Sequence, residues 1–499
     1  MTTAATLMAG MSAGTATAAD APDPLLELFV QKGFVTQDEA NKVKAEADSL
    51  RTNALAQLPA SKWKINNAIK SVELFGDLRL RYEGREAKDP AGGSINLDRL
   101  RYAVRLGLRG EVYDNFYYGV RAETSSNPRS TWLTFGNNSG AAFGKSTAGI
   151  NIGQVYLGWR PTDWLDLTVG KMPNPFYTTA MTWDGDINPE GAAEKFKYTI
   201  GDLDLSATFG QFLYQDPNPT HSSSGYFNLG FQNSNLPFML GWQIGANYHV
   251  TKKLAFKIAP ALYNYTGRGA NNGANATSPD YSGTFVGQGT TFGVAGHSAY
   301  YNLGPYDGFF SNETGINNLL LLDIPWEANL KLTDKLDLRL FGDYAQNLQG
   351  GDRARAAFAA QNSPLFNGTG IILIPSAQTS DDKAYQLGLA IGSKGNLGLV
   401  SGSVSQKHAW ELRTYWQHVE QYALDPNLID SDFFENMNLE GIYTAVAYGL
   451  TDNMIATFRY GHAMRINDKL GTGGSNQDIP QINPYKEFNL LQFDLTLRF

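Results

Sequence analysis

Three acidic residues within seven positions are the first candidates for chemistry in this chain of 499 residues: Asp184, Asp186 and Glu190. Carboxylate oxygens are the ligands that Ca²⁺ prefers, so Asp184 and Asp186 form a candidate calcium site. Two nearby carboxylates are also the machinery of glycoside hydrolysis. Acids this close together are, however, common in solvated loops, and prolines stiffen this segment. Residues 172–191 therefore predict a stiff acidic loop whose role depends on where the fold places it.

Other residue types with catalytic or metal-binding chemistry lack the spacing that such sites need. The six histidines show no H-E-x-x-H or comparable ligand spacing. The chain contains no cysteine, so neither a thiolate metal site nor a disulfide framework can be argued. The glycine-rich stretch near residue 270 misses the G-x-G-x-x-G spacing of a nucleotide cradle. We therefore predict that the protein is not an enzyme and holds no cofactor, with structural Ca²⁺ at Asp184 and Asp186 as the alternative.

Positive charge is concentrated on one face of the strands predicted near the start of the alternating region. In residues 98–112, DRLRYAVRLGLRGEV, apolar residues such as Leu100 and Leu106 alternate with charged ones. A strand that is charged on one side and apolar on the other separates water from an apolar medium. Seven arginines of the first three strands are predicted to line the wet side: Arg79, Arg81, Arg99, Arg101, Arg105, Arg109 and Arg121.

Two interpretations of these arginines remain open. If they face the acidic loop, the two sets of charges create a transverse electric field that orients dipolar solutes. Alternatively, they are ion-paired wall residues, because Asp77, Glu83, Glu111 and Glu123 are predicted to share the same face. Since the signs are mixed, the sequence does not decide between anion and cation preference.

Sixteen stretches with an apolar period of two are predicted between residue 72 and the end of the chain. They lie at residues 72–84, 98–112, 116–126, 149–160, 164–171, 192–200, 203–213, 239–249, 254–265, 318–331, 336–346, 383–393, 403–420, 438–449, 454–465 and 488–499. Every second connection is a tight turn, and the others are long and rich in Gly, Asn and Ser. This alternation places the long loops at one end of the sheet, as in transmembrane barrels, whereas a β-sandwich has no reason to show it. The sequence predicts an all-β transmembrane barrel of 16 antiparallel strands over residues 71–499.

The last strand alternates without exception and ends on an aromatic residue, with Phe493, Leu495, Leu497 and Phe499 on its apolar face. In a closed barrel this strand pairs with the first one, so no free edge is left to aggregate. The final strand resembles the assembly signal of Gram-negative outer-membrane proteins, and residues 72–499 resemble a sixteen-stranded porin. The stretches LLELFVQKGFVTQDEA, KMPNPF and WDGDINPEGAA resemble the family usually called putative porins, which is related to the phosphate- and polyphosphate-selective porins.

The resemblance implies several properties that the residues alone do not show. The protein is expected in the outer membrane of a Gram-negative bacterium, surrounded by outer-membrane lipid and inserted by the barrel-assembly machinery. It is expected to form a homotrimer. The third long loop is expected to fold into the bore, which would place Asp184, Asp186 and Glu190 at the constriction.

The first 70 residues differ from the rest of the chain. Residues 1–19 have an A-x-A match at 16–18 but no Lys or Arg, which indicates a signal peptide with a truncated start. Residues 20–70 are predicted to form a periplasmic, coiled-coil-like helical segment, and Thr36 with Glu39 gives a capping box. This segment is either a plain linker helix or a tether to the cell envelope.

Composition and strand number together define the expected function. The net charge of −8 gives no indication of nucleic-acid binding, and no run of about 18 apolar residues could cross a bilayer as a helix. Sixteen strands leave an aqueous channel, whereas eight are filled by side chains. We therefore expect passive diffusion of small polar solutes and ions. The alternatives are a pore selective for phosphate or oligosaccharide, and an envelope tether.

Overall fold

The structure of the chain is a computed structural model. It describes residues 32, 36, 38–42, 68–90, 92–125, 130–136, 149–214, 238–266, 319–352, 354, 380–434, 436–468, 470, 472, 479 and 485–499. The chain divides into two compact units, Met1–Asn67 and Ala68–Phe499. No helix among these residues is long and apolar enough to cross a membrane.

In the first unit, residues 38–42 form one helical turn that begins with a capping box. The backbone N–H of Thr36 donates to Glu39 Oε2 over 2.9 Å, and the N–H of Glu39 donates to Thr36 Oγ1 over 3.3 Å. The predicted capping box is therefore confirmed. The predicted signal peptide and most of the predicted helical segment lie outside the described residues.

The second unit consists of antiparallel strands, each of which pairs with its neighbours in the chain. The described residues form sixteen strands, two of them interrupted: β1 Ile69–Lys88, β2 Ser94–Val112, β3 Phe116–Ser125, β4 Gly149–Thr162, β5 Leu165–Lys171, β6 Glu190–Ile200, β7 Leu203–Leu213, β8 Phe238–Tyr248, β9 Leu254–Ile258 with Ala261–Thr266, β10 Leu320–Asp323 with Trp326–Lys331, β11 Leu336–Asn347, β12 Lys383–Ser393, β13 Trp410–Val419, β14 Leu439–Gly449, β15 Met454–Arg465 and β16 Glu487–Arg498. A two-residue strand, Leu133–Thr134, also pairs with β2.

The sheet closes because β16 pairs with β1. The register runs from Asp77 opposite Arg498 to Lys88 opposite Glu487. The terminal residue takes part as well, since the backbone groups of Phe499 and Gly76 exchange hydrogen bonds of 2.9 and 3.1 Å. The predicted closed barrel of 16 antiparallel strands is confirmed, and its closure removes the sheet edges that would otherwise be left unpaired.

The two faces of the barrel wall differ in chemistry, as the period of two predicts. On β16, Phe493 is 51% exposed on the outer face, whereas Gln492 and Asp494 on the inner face are 0% and 3% exposed. On β2, Leu100 is 57% exposed on the outer face and Arg101 is buried on the inner face. An apolar outer face and a polar inner face are the arrangement that a barrel in lipid requires.

Aromatic residues beside the short turns lie mostly on the outer face. Trp159 stacks on Phe116 at a centroid distance of 5.5 Å, and Trp164 stacks on Phe196 at 6.1 Å. Tyr117, next to Phe116 on β3, instead faces inward and donates its hydroxyl to Asp166. Neighbouring residues of a strand point to opposite faces, so Tyr117 points into the barrel because Phe116 points toward the membrane.

Two strands are interrupted at proline. Pro260 breaks β9 and Pro325 breaks β10, because proline has no N–H to donate to a ladder. The neighbouring backbone groups still pair, since the N–H of Ala259 donates to the carbonyl of Pro325 and that of Ile244 donates to the carbonyl of Pro260. The wall therefore stays continuous across both breaks.

Connection lengths alternate as predicted, with two exceptions. Residues 89–93, between β1 and β2, form a short connection at the end that carries the long loops. Residues 394–409, between β12 and β13, form a long connection at the end that carries the tight turns. The predicted start of the thirteenth strand at residue 403 is wrong. Gly395, Gly402 and His408 adopt positive φ there, so the chain turns repeatedly instead of continuing the strand.

The lipid-facing assignment of the outer wall is testable with one charged residue on each face. Leu106→Arg places a guanidinium on the outer face of β2, where Leu106 is 45% exposed. We expect this change to lower the free energy of unfolding by about 2–4 kcal/mol, because arginine at the bilayer midplane costs that much. Ser206→Arg, on the inner face of β7, should have little effect. Folding into lipid vesicles followed by urea titration measures both, and equal losses would contradict the assignment.

Candidate pore constriction

Loop A, residues 172–189 between β5 and β6, folds into the barrel. Its neck is closed by the N–H of Met172, which donates to the carbonyl of Pro189 over 3.0 Å. From there the loop reaches β8, where Gln243 makes two hydrogen bonds of 2.8 Å with the backbone of Tyr177. The ammonium of Lys257 on β9 lies 3.4 Å from the centre of the Tyr177 ring. Loop A therefore crosses the bore and does not extend into solvent.

The far end of loop A is held by two buried aspartates of the wall. Thr179 donates its hydroxyl to Asp343 on β11, and Thr182 donates its hydroxyl to Asp323 on β10 over 3.5 Å. These strands lie five and six positions from β5, so the loop spans a large part of the cylinder. Hydrogen bonds at both ends and in the middle fix its position.

Loop B, residues 420–438 between β13 and β14, also folds inward. Asp425 accepts hydrogen bonds of 2.7 Å from the hydroxyls of Tyr214, just after β7, and Tyr265 on β9. Near its other end, Phe433 packs against Tyr415 and Tyr443 with centroid distances of 6.1 and 5.4 Å. Loop B therefore crosses the bore from the opposite direction. The sequence analysis did not identify it, because that stretch has no apolar period of two and its acidic residues were not compared with those of loop A.

Loops A and B meet inside the barrel. The N–H of Asp184 donates to the carbonyl of Leu428 over 2.6 Å, and the N–H of Asp430 donates to the carbonyl of Ala180 over 3.3 Å. These two backbone hydrogen bonds join the loops along a common seam. The acidic residues of both loops are thereby brought to the same region of the bore.

Each loop presents the same acidic turn at this seam. In loop A, Asp184 accepts the N–H of Asp186 over 2.8 Å, and in loop B, Asp430 accepts the N–H of Asp432 over 2.8 Å. Two Asp-x-Asp turns, DGD and DSD, thus face each other. The second aspartate of each turn contacts the barrel wall through an arginine, and the first does not.

The arginines of the wall form ion pairs with the acids of the loops. Asp186 lies 3.2 Å from Arg105, which also binds Asp77 over 2.7 Å. Asp432 lies 2.5 Å from Arg81, which also binds Asp494 on β16 over 2.7 Å. These bridges connect loops A and B to β1, β2 and β16. Buried charges of this kind hold a fixed geometry because separating either partner leaves an unpaired charge.

The remaining predicted arginines are paired with carboxylates of the wall. Arg79 lies 2.9 Å from Asp77, and Arg121 lies 2.7 Å from Glu123. Arg99 and Arg101 contact the fully buried Glu83. Arg109 pairs with Glu73 over 2.7 Å and is half exposed. Of the two interpretations left open by the sequence, pairing within the wall describes Arg79, Arg99, Arg101, Arg109 and Arg121, whereas Arg81 and Arg105 face the acidic loops.

Glu190 does not belong with the acids of the seam. It is the first residue of β6, two positions earlier than the strand was predicted to begin, and its side chain is 58% exposed. It shares the outer face of the strand with Tyr198 and Ile200 and pairs with Lys171 over 2.7 Å. The expected place of Glu190 at the constriction is therefore corrected, because the strand register turns it outward.

A cavity of about 640 Å³ lies between the seam and the barrel wall. Its acidic residues are Asp184, Asp186, Asp430 and Asp432. Its basic residues are Arg79, Arg81, Arg105, Arg413, Arg459 and Arg498. We refer to it as the central cavity.

The segment 394–409, called the turn-end segment below, borders the central cavity through Val400 to Ser403. Arg459 on β15 donates to the carbonyl of Val400 over 3.0 Å, and Arg339 on β11 donates to the carbonyl of Leu397 over 2.9 Å. The N–H of Val400 donates to Glu411 over 2.9 Å. The cavity is therefore bordered by segments that enter the barrel from both ends.

The sequence identified half of the charged residues that line the central cavity. Arg79, Arg81, Arg105, Asp184 and Asp186 were predicted, and the residues missed were Asp430, Asp432, Arg413, Arg459 and Arg498. The three missed arginines occupy inward-facing positions of strands with an apolar period of two. That period could have predicted that they face the bore. The repeat of the Asp-x-Asp pattern was the available signal for loop B.

The acids of the seam differ in their surroundings: among the described residues, a guanidinium lies within ion-pair distance of Asp186 and Asp432 but of neither Asp184 nor Asp430. Burial, with the nearby Asp432 carboxylate, raises the pKa of Asp430 to about 7. Burial, with the nearby Asp430 carboxylate, raises the pKa of Asp184 well above its usual range. Burial alone would also raise the pKa of Asp432, but the Arg81 guanidinium holds it below its usual range. Near neutral pH the seam therefore contains protonated and ionised carboxyl groups side by side.

The described residues contain no group of three or more His, Asp or Glu side chains placed to hold a metal ion. The calcium site at Asp184 and Asp186 stays a prediction. The residues of the predicted assembly signal, Phe493, Leu495, Leu497 and Phe499, lie on β16 and directly after it, and most of them are exposed on the outer face.

Comparison with solved structures finds bacterial porins at low sequence identity. A mutant of the Rh. blastica porin is 10% identical, with a TM-score of 0.36, and the alignment covers 86% of this chain and 100% of that chain. OmpT, an outer membrane protein of Vibrio cholerae, is 11% identical with a TM-score of 0.40, covering 87% and 100%. An anion-selective porin from Comamonas acidovorans is 10% identical with a TM-score of 0.40, covering 86% and 99%.

Comparison at the level of sequence gives one match. No curated protein matches the chain significantly. Residues 92–499 match the family described as "Putative porin". Since this match covers most of the chain, the protein belongs to that family of porins of the bacterial outer membrane.

Proposed function

We propose that this porin allows passive diffusion of small polar solutes and ions through the central cavity, and that loops A and B form its constriction. The observation that carries the proposal is the seam between the two loops, which lies inside the barrel and faces a wall of arginines. Side chains at the narrow part of a pore control what passes, because the field between charges is strong where the surrounding wall has a low dielectric constant.

We propose a moderate preference for anions. Six arginines and four aspartates border the central cavity. Arginine stays protonated at all ordinary pH values, whereas Asp184 and Asp430 have raised pKa values and carry less than a full negative charge. Positive charge therefore exceeds negative charge along the path.

A substrate-selective pore is the second candidate. The turn-end segment favours it, because that segment borders the cavity and is held in place by Arg339, Arg459 and Glu411. A pore that only filters by size needs no such second segment. The proposal of a homotrimer is supported only by the family resemblance, and the tether function concerns residues outside the described part of the chain.

The constriction is tested by removing the acids of loop A. Asp184→Asn together with Asp186→Asn removes negative charge from the seam and frees Arg105 from one of its two partners. We expect the reversal potential in a KCl gradient across a planar bilayer to shift toward greater anion preference. Glu190→Gln is the matched control, since it removes one carboxylate from the outer face. An unchanged reversal potential in the double variant would contradict the proposal that loop A forms part of the constriction.

The protonation of the seam predicts a pH-dependent selectivity. Because the pKa of Asp430 is raised to about 7, protons bind to it as the pH falls from 8 to 6, and Asp184 follows the same direction. Loss of negative charge should increase the anion preference on acidification. Asp432, which pairs with Arg81, should stay ionised over this range because its pKa is held below its usual range. Burial raises the pKa of Asp186 as well, although the Arg105 guanidinium opposes the rise.

Reversal potentials recorded at pH 8, 7 and 6 measure the effect of this titration. The variant Asp184→Asn with Asp430→Asn should show a weaker pH dependence than the wild type, and its anion preference at pH 8 should be close to that of the wild type at pH 6. A dependence of equal size in that variant would show that other groups titrate.

A further inference from the structure

The carboxylates of the central cavity divide into two pairs according to their partners. Asp186 and Asp432 bind Arg105 and Arg81. Asp184 and Asp430 accept a backbone N–H from their own turn, and no cationic side chain of the described residues lies within ion-pair distance of either. Asp184 is only 8% exposed. A buried carboxylate without a cation is costly unless a proton or another positive group neutralises it.

The part of the barrel wall around Asp77 has an excess of positive charge. Arg79 lies 2.9 Å and Arg105 lies 2.7 Å from the same carboxylate, Asp77. Arg498 is the register partner of Asp77 on β16, so it borders the same position. Among the described residues, no carboxylate lies within ion-pair distance of Arg498. Three guanidiniums therefore lie around one wall carboxylate, and within the described part of the chain only one of them, Arg105, has a further carboxylate partner, Asp186 of loop A.

The carboxylates without a cationic partner and the excess guanidiniums line the same cavity. Asp184 and Asp430 lie at the seam, and Arg79, Arg105 and Arg498 lie at the wall of the central cavity. Its volume of about 640 Å³ is within the range of cavities that hold small molecules. A solute with one negative charge neutralises only the wall, and a solute with one positive charge neutralises only the seam. A solute with both charges neutralises both.

We propose that the central cavity is a binding site for small zwitterions with an amino group and a carboxylate, with the ammonium at Asp184 and Asp430 and the carboxylate at Arg79, Arg105 and Arg498. This inference rests on the proposed function, because the solute must enter the pore. Binding is weak and reversible, since conduction requires that a bound solute can leave.

The test uses ω-amino acids of increasing length as probes: glycine, β-alanine, 4-aminobutyrate and 6-aminohexanoate. Each is added to the wild-type pore in a planar bilayer while the KCl conductance is recorded. We expect at least one member to reduce the conductance saturably, at a concentration at least ten-fold below that needed with butyrate or butylammonium. Equal effects of zwitterions and singly charged solutes would overturn the proposal, and so would the absence of any saturable effect.

Two variants separate the two ends of the site. Asp184→Asn with Asp430→Asn should abolish the advantage of the best ω-amino acid over butyrate. Arg498→Gln should reduce its advantage over butylammonium. Glu190→Gln, on the outer face, is the control and should bind the probes as the wild type does. If both cavity variants keep the full advantage, the zwitterion site is excluded.

The failure of this inference is distinguishable from failure of the proposed function. A pore that conducts KCl without preference for zwitterions contradicts the binding site and leaves passive diffusion intact. A protein that inserts into the bilayer and conducts no KCl contradicts both. Heat-modifiable mobility on gels shows whether each variant has folded, so loss of folding is not mistaken for loss of binding.

Discussion

The constraint on which this structure depends is that a backbone in lipid must satisfy its hydrogen bonds internally. Strands meet this constraint only if the sheet closes, and the pairing of β16 with β1 closes it through the last residue of the chain. Closure fixes which side of every strand faces lipid. The same alternation that places Leu106 and Phe493 outside therefore places Arg105 and Asp494 inside, where they line the bore.

The inner wall then determines where the loops can go. Loops A and B carry their own acids into the barrel. Arg105 binds Asp186 of loop A, and Arg81 binds Asp432 of loop B. Because these arginines also bind Asp77 and Asp494, each acts as a bridge between the strands and a loop. The constriction that we propose consists of two similar Asp-x-Asp turns from separate parts of the chain.

Most of the fold could be predicted from the sequence, because strand parity is a local signal. The alternation in residues 98–112 gave both the strand and its facing, and the final strand indicated closure. The turn-end segment was misread because Trp410 and the residues after it alternate strongly and the preceding stretch does not contradict a longer strand. Glu190 was assigned to a loop because the strand was predicted to begin at residue 192. The strand begins two residues earlier, so Glu190 belongs to the outer wall.

The site was less predictable, since it arises where distant segments meet. Asp184 and Asp430 are 246 residues apart in the chain, and only the inward course of both loops brings them together. Local pattern gives the chemistry of each loop but not the direction in which it folds. Arg498, by contrast, lies in a strand whose inward and outward faces were predicted, and its position at the cavity was missed because its neighbours in space were unknown.

The central claim is that solutes pass through the cavity beside loop A, and thiol labelling tests it most directly. The chain has no cysteine, so Gly185→Cys introduces a single thiol into the wall of the cavity, at a position where an added Cβ meets no atom within 4 Å. We expect a bulky methanethiosulfonate reagent to reduce the single-channel conductance of this variant and to leave that of Glu190→Cys unchanged. Complete labelling of Gly185→Cys without a change in conductance would contradict the account.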